Sequence, residues 1–119
     1  MATLRSVMLL QRDVGRAARF YSEGLGLRVA VLTERWAELH GGGNMTLTLK
    51  AVDGEAFCSV GYSPFLQFTV QDMDSTLPRL LSMGGMLDGP IKYPVEGKVA
   101  AVRAPDGHMI GLFEPGDAM

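Results

Sequence analysis

With 119 residues, 47% hydrophobic and 20% charged, the chain has the balance of one folded domain that buries its core without staples. Its 11 Lys and Arg against 13 Asp and Glu give a net charge of −2, which excludes the broad basic field that draws nucleic acid or an anionic membrane. The single cysteine, Cys58, excludes an internal disulfide and suits a reducing, cytoplasmic compartment, and no apolar run approaches the roughly 18 residues of a membrane helix.

Residues 4–11 alternate as a strand, following an opening that carries no apolar signal-peptide region. Asp13 then offers a carboxylate to the free N–H groups of a helix. Val14, Ala17, Ala18, Phe20 and Tyr21 give that helix an apolar stripe, and Gly24 and Gly26 mark its end. Strands are expected over 27–33, 35–40 and 44–52, with the glycines at 41–43 turning between the last two. Cys58 lies near no His or basic cluster and reads as an inert thiol. Tyr62, Ser63 and Pro64 read as a structural linker.

The pattern then restarts. Residues 65–71 alternate as a strand, and Asp72 caps a helix carrying Leu77, Leu80, Leu81 and Met83, closed by Gly84 and Gly85. Pro78 removes one backbone hydrogen bond from its early part. Strands are expected over 86–93, 98–104 and 108–114, separated by the turns Val95-Glu96-Gly97 and Pro105-Asp106-Gly107. The two capping aspartates lie about sixty residues apart, close to half the chain, and each half reads β-α-β-β-β. The fold class expected is α+β: a single domain of two βαβββ modules, about 1–60 and 61–119.

The stretch Asp13-Val14-Gly15-Arg16-Ala17-Ala18-Arg19-Phe20-Tyr21-Ser22-Glu23-Gly24-Leu25-Gly26-Leu27 resembles the opening helix of vicinal oxygen chelate proteins, with an Asp cap, a small-residue helix, Phe-Tyr and a Leu-Gly-Leu exit. Pro105-Asp106-Gly107-His108-Met109-Ile110-Gly111-Leu112-Phe113-Glu114-Pro115 resembles their closing hairpin. The likeness covers nearly the whole chain, in order. That superfamily includes glyoxalase I, bleomycin-resistance proteins and extradiol dioxygenases. The resemblance implies curved modules that enclose a cleft. In metal-dependent members, four inward residues, one from the first and one from the last strand of each module, hold a divalent ion. Counting from the caps and the closing turn puts Ser6, Thr48, Phe65 and Gly111 at those positions. Phe and Gly side chains cannot ligate, and a neutral hydroxyl is a poor ligand, so no metal and no cofactor are expected. The neighbouring register offers no ligands either.

Alternation sorts the strands into two faces. Leu9, Leu47, Leu49, Leu66, Phe68, Ile110 and Leu112 belong to an aliphatic and aromatic face that should pack under the helices. The opposite face carries Ser6, Met8, Thr48, Lys50, Phe65, Gln67, Met109, Gly111 and Phe113, a mixture of apolar surface and sparse polar groups that suits a small-molecule pocket. Trp36 joins that set as a ring able to stack on an aromatic ligand. A rebuilt metal site, Gly111→Glu with Phe65→His, is expected to place both side chains in open space. Glu38 and His40 share Trp36's strand face and read as a solvated pair, and His108, after the closing turn, as a solvent residue.

These observations favour a metal-free binding protein for a small apolar or aromatic molecule, similar to the bleomycin-resistance branch. The alternative is an enzyme of the superfamily, a lyase, isomerase or dioxygenase, with a non-standard site; a protein-interaction module is a third reading. The partners expected are the small molecule and a second copy of the chain, since short two-module members of this superfamily commonly pair. Neither nucleic acid nor membrane is expected.

Overall fold

A computed structural model describes residues 1–116. The chain forms two compact units, one over Met1–Ser59 and one from Val60 onward, and each builds the same motif. In the first, β1 (Ser6–Gln11) leads into α1 (Val14–Arg19), followed by β2 (Arg28–Leu32), β3 (Trp36–His40) and β4 (Thr46–Ala51). In the second, β5 (Gly61–Thr69) leads into α2 (Met73–Ser82), then β6 (Met86–Leu87), β7 (Gly97–Arg103) and β8 (His108–Pro115). Each sheet has four strands with the same topology, β1-β4-β3-β2 and β5-β8-β7-β6. The first and last strands of each motif pair in parallel; the other neighbours are antiparallel. This is an α+β fold of two βαβββ motifs.

Both helices begin where a carboxylate meets orphan amides. Arg16 N–H donates to Asp13 Oδ1 at 3.0 Å, and Asp74 N–H donates to Asp72 Oδ1 at 3.2 Å. α2 gains a second anchor from outside its own sequence. Met73 N–H donates to Glu114 Oε1 at 2.6 Å, and Lys98 Nζ lies 3.7 Å from the same carboxylate. α1 continues into one π-helical turn, Phe20–Gly24. The wider turn keeps Phe20 and Tyr21 both buried, in edge-to-face contact at 5.4 Å.

Each core forms between a helix and one face of its sheet. Val14, Ala17 and Ala18 of α1 are buried with Leu9, Leu39 and Leu49, and α1 packs on β3 and β4. Met73, Leu77 and Leu80 of α2 are buried with Val102, Ile110 and Leu112, and α2 packs on β6 and β8.

Two elements depart from the sequence reading. The strand expected over 86–93 is only Met86–Leu87, with one further bridge from Lys92 to Val99. Gly89 takes φ +83°, and Pro90 has no N–H to donate, so the ladder cannot run through them. The strand expected from residue 65 begins at Gly61, and its pairing with β8 is irregular between Gly61 and Leu66. Tyr62, Ser63 and Pro64, read as linker, belong to this irregular start.

Candidate functional site: one concavity on each sheet

The ladder registers decide which side chains share a face. In the first sheet, Thr48 of β4 stands between Met8 of β1 and Glu38 of β3. One level along, Thr46 stands between Ser6 and His40. In the second sheet, Gly111 of β8 stands between Gln67 of β5 and Ala101 of β7. Phe113 stands between Thr69 and Val99. Ala101 therefore holds the place that Glu38 holds in the first sheet.

The second unit has a concavity of about 440 Å³. Its floor is Gly111, Ala101 and Gln67, and its walls are Phe65, Phe113 and Val99. The loop after β6 closes one side, bringing Asp88, Pro90 and Lys92. Phe65 lies directly over the bare backbone of Gly111. A Cβ placed at 111 would come within 2.9 Å of Phe65 Cε2 and 3.3 Å of Gln67 Cγ. Gly111 is thus the absence of a side chain that the Phe65 ring requires. With Phe65 in place, a side chain at 111 must first displace the ring, so open space at this position exists only where Phe65 is replaced as well.

Tyr62 backs this wall. Its ring stacks on Phe65 at 6.0 Å and 25°, and its hydroxyl donates to the Asp88 carboxylate on the loop opposite. That hydrogen bond, more than any other influence, raises the Tyr62 pKa above the ordinary tyrosine range, because it favours the protonated phenol. The folded pKa is raised, so the bond supports the structure below the ordinary tyrosine pKa and is lost as pH rises through the folded value. Asp88→Asn is expected to move Tyr62 ionisation back toward the ordinary range, read by NMR titration of the tyrosine rings. An unchanged Tyr62 titration in that variant would count against the pairing.

His108 is wholly buried, which corrects its assignment to solvent. Nε2 lies 2.6 Å from the Pro64 carbonyl, so this nitrogen donates. The side chain supplies a bond that the irregular start of β5 lacks from its neighbour strand. Met109, placed on the pocket face by alternation, is also wholly buried and lies outside the concavity. The irregular pairing of residues 61–65 breaks the simple alternation at this end of the sheet.

The first unit has a smaller and more polar concavity, about 330 Å³. Ser6, Met8, Trp36 and Thr48 line it, as the alternation requires. Lys50 stands opposite Trp36 in the ladder but is exposed and lies outside the lining. Glu38 and His40 line it and are half-buried, so they are not the freely solvated pair expected. Trp36 Nε1–H donates to Glu38 Oε2 at 2.8 Å, and Thr46 Oγ1 lies 3.4 Å from His40 Nδ1. The signal for this pair was present in the sequence, since both alternate with Trp36. The adjacent triple glycine is the feature that suggests solvent exposure instead. Cys58 is half-buried with Sγ 3.7 Å from the Gly54 carbonyl.

The residues at the four metal positions do not fit a metal. They present two hydroxyls, a phenyl ring and bare backbone. Among the described residues, no group of three or more His, Cys, Asp and Glu side chains clusters to hold an ion. No helix among them is long and apolar enough to cross a membrane.

Comparison with known proteins places this arrangement. Residues 3–112 match the profile of the Glyoxalase/Bleomycin resistance protein/Dioxygenase superfamily. No curated protein matches the chain. Among solved structures, it is similar to a glyoxalase/bleomycin resistance protein/dioxygenase family enzyme from Burkholderia phytofirmans PsJN, with TM-score 0.79 and 18% identity over 97% of this chain and 100% of that one. It is similar to a glyoxalase-related enzyme from Fulvimarina pelagi, with TM-score 0.74 and 22% identity over 96% and 88%. It is also similar to TnmS3, an antibiotic binding protein from Streptomyces sp. CB03234, with TM-score 0.70 and 26% identity over 98% of both chains.

Proposed function

The chain belongs to the glyoxalase/bleomycin resistance protein/dioxygenase superfamily, and from that premise we propose that it is a metal-free member that binds a small, flat, largely apolar molecule. The observation that carries this reading is the Phe65 ring lying over Gly111. Where the superfamily's metal chemistry would place two ligands, this chain has an aromatic wall and the gap that admits it. Phe113 and Val99 extend the apolar wall, and the Gln67 amide supplies a polar group to orient a guest. The likeness to TnmS3, an antibiotic binding protein, supports a binding role.

The test uses 1-anilinonaphthalene-8-sulfonate, a flat aromatic anion whose emission rises on leaving water. Saturable binding is expected, and Phe65→Ala is expected to weaken it roughly tenfold by removing an aromatic contact. Thermal stabilisation should accompany it, reaching about 2.7 kcal/mol when the probe stands at 100 times its Kd. Probe binding indifferent to Phe65→Ala would sink this assignment. Elemental analysis finding one tightly held divalent ion per chain would sink the metal-free part and favour the enzyme reading.

The same reading takes a second copy of the chain as partner. The edge strand β2 exposes Val29, Val31 and Leu32, and an isologous homodimer would cover such apolar edges. Light scattering that gives the mass of one chain at micromolar concentration would count against it. Cys58 as a free thiol suits a cytoplasmic setting.

A further inference from the structure

The concavity of the first sheet carries charges that an apolar guest leaves unused. Glu38 stands mid-face, with Oε2 held at 2.8 Å by the indole N–H of Trp36. Among the described residues, no Lys, Arg or His nitrogen lies within ion-pair distance of this carboxylate. An oriented, half-buried carboxylate short of a cationic partner favours a guest that brings one. Toward one end lies the level of His40, whose Nδ1 faces Thr46 and whose Nε2 has no protein partner among the described residues. Arg5 lines the same concavity, and no carboxylate among the described residues pairs with its guanidinium. Toward the other end lies the Trp36 ring, and Met8 flanks the middle.

We propose that this concavity binds a zwitterion of amino-acid size with an aromatic or aliphatic body. The ammonium group pairs with Glu38, the carboxylate turns toward Arg5 and His40, and the apolar body lies on Trp36 and Met8. A volume of about 330 Å³ accommodates such a molecule. Charge selects the class. A simple amine meets Glu38 favourably but is opposed by Arg5; a simple acid meets the reverse. Only a guest carrying both charges satisfies both residues, which is specificity by mismatch as well as by match. The second sheet has Ala101 at the place of Glu38, so the carboxylate that this guest needs belongs to the first unit's sheet alone.

Trp36 is the chain's only tryptophan, so its fluorescence reports on this concavity directly. The experiment titrates the full chain with L-phenylalanine, and in parallel with phenethylamine and 3-phenylpropanoate, each lacking one charge. A saturable change in Trp36 emission is expected with L-phenylalanine, with both analogues at least about tenfold weaker. Glu38→Gln keeps an oxygen to accept the indole N–H, and is expected to weaken L-phenylalanine binding at least about tenfold without lowering the melting temperature. Arg5→Met is expected to weaken it similarly. The proposal is overturned by any of three results: no saturable response up to about 10 mM, a response unchanged in Glu38→Gln, or phenethylamine binding as tightly as L-phenylalanine.

Discussion

Leu112→Ala is expected to lower stability by about 2–5 kcal/mol, the range for truncating a well-packed core leucine. Leu112 is 2% exposed and sits on the central strand β8, between Phe68 of β5 and Ala100 of β7. It shares a face with Ile110, which is wholly buried, and β8 packs against α2. The leucine end cannot be replaced by water or by collapse of a ladder bonded on both sides, so the cost includes the cavity as well as the lost transfer energy. A domain of this size should lose on the order of 10 °C or more in Tm. The contrast is Thr48→Val, which removes a hydroxyl from the wall of the first concavity and should cost under about 1 kcal/mol. Chemical denaturation of both variants checks the pair. If Thr48→Val proved the costlier, the assignment of strand faces would be wrong.

Gly97→Ala is expected to cost about 2–4 kcal/mol, combining a disfavoured backbone region with a hard clash. Gly97 opens β7 at φ +153°, and a Cβ there would lie 2.0 Å from the Glu114 carbonyl oxygen. No side-chain rotation relieves a contact between Cβ and backbone. The chain must instead open the end of the β7–β8 ladder, where Gly97 faces Pro115, and give up the bond from Gly116 N–H to the Glu96 carbonyl. That opening sets the upper limit of the cost. It also loosens the strand whose Glu114 carboxylate caps α2. Faster hydrogen exchange at the start of α2, together with the drop in stability, is the expected signature. Wild-type stability in Gly97→Ala would mean that the β7–β8 end is not closed in solution.

Capping residues and turn glycines act over a few positions, so the amino-acid sequence by itself determined both helix starts. Asp13 and Asp72 each accept the bond their position implied. The repeat determined the shared topology, because two stretches with the same order of caps, stripes and alternation face the same packing problem. Alternation also sufficed for Ser6, Met8, Trp36 and Thr48, which lie on regularly paired strands.

It failed where pairing departs from period two. Met109 and His108 sit beside the irregular start of β5 and are buried, and no local signal marks a bulge that depends on a partner strand. Glu38 alternates with Trp36, which marks its strand face in the sequence, but the ladder that levels it with Thr48 and the indole that holds it decide that the carboxylate sits half-buried in the concavity rather than in solvent. The non-ligating character of Phe65 and Gly111 could be read from residue type alone. That the ring of one occupies the space of the other's missing side chain was decided by tertiary structure, since contact between residues so distant in sequence exists only once β5 and β8 are paired.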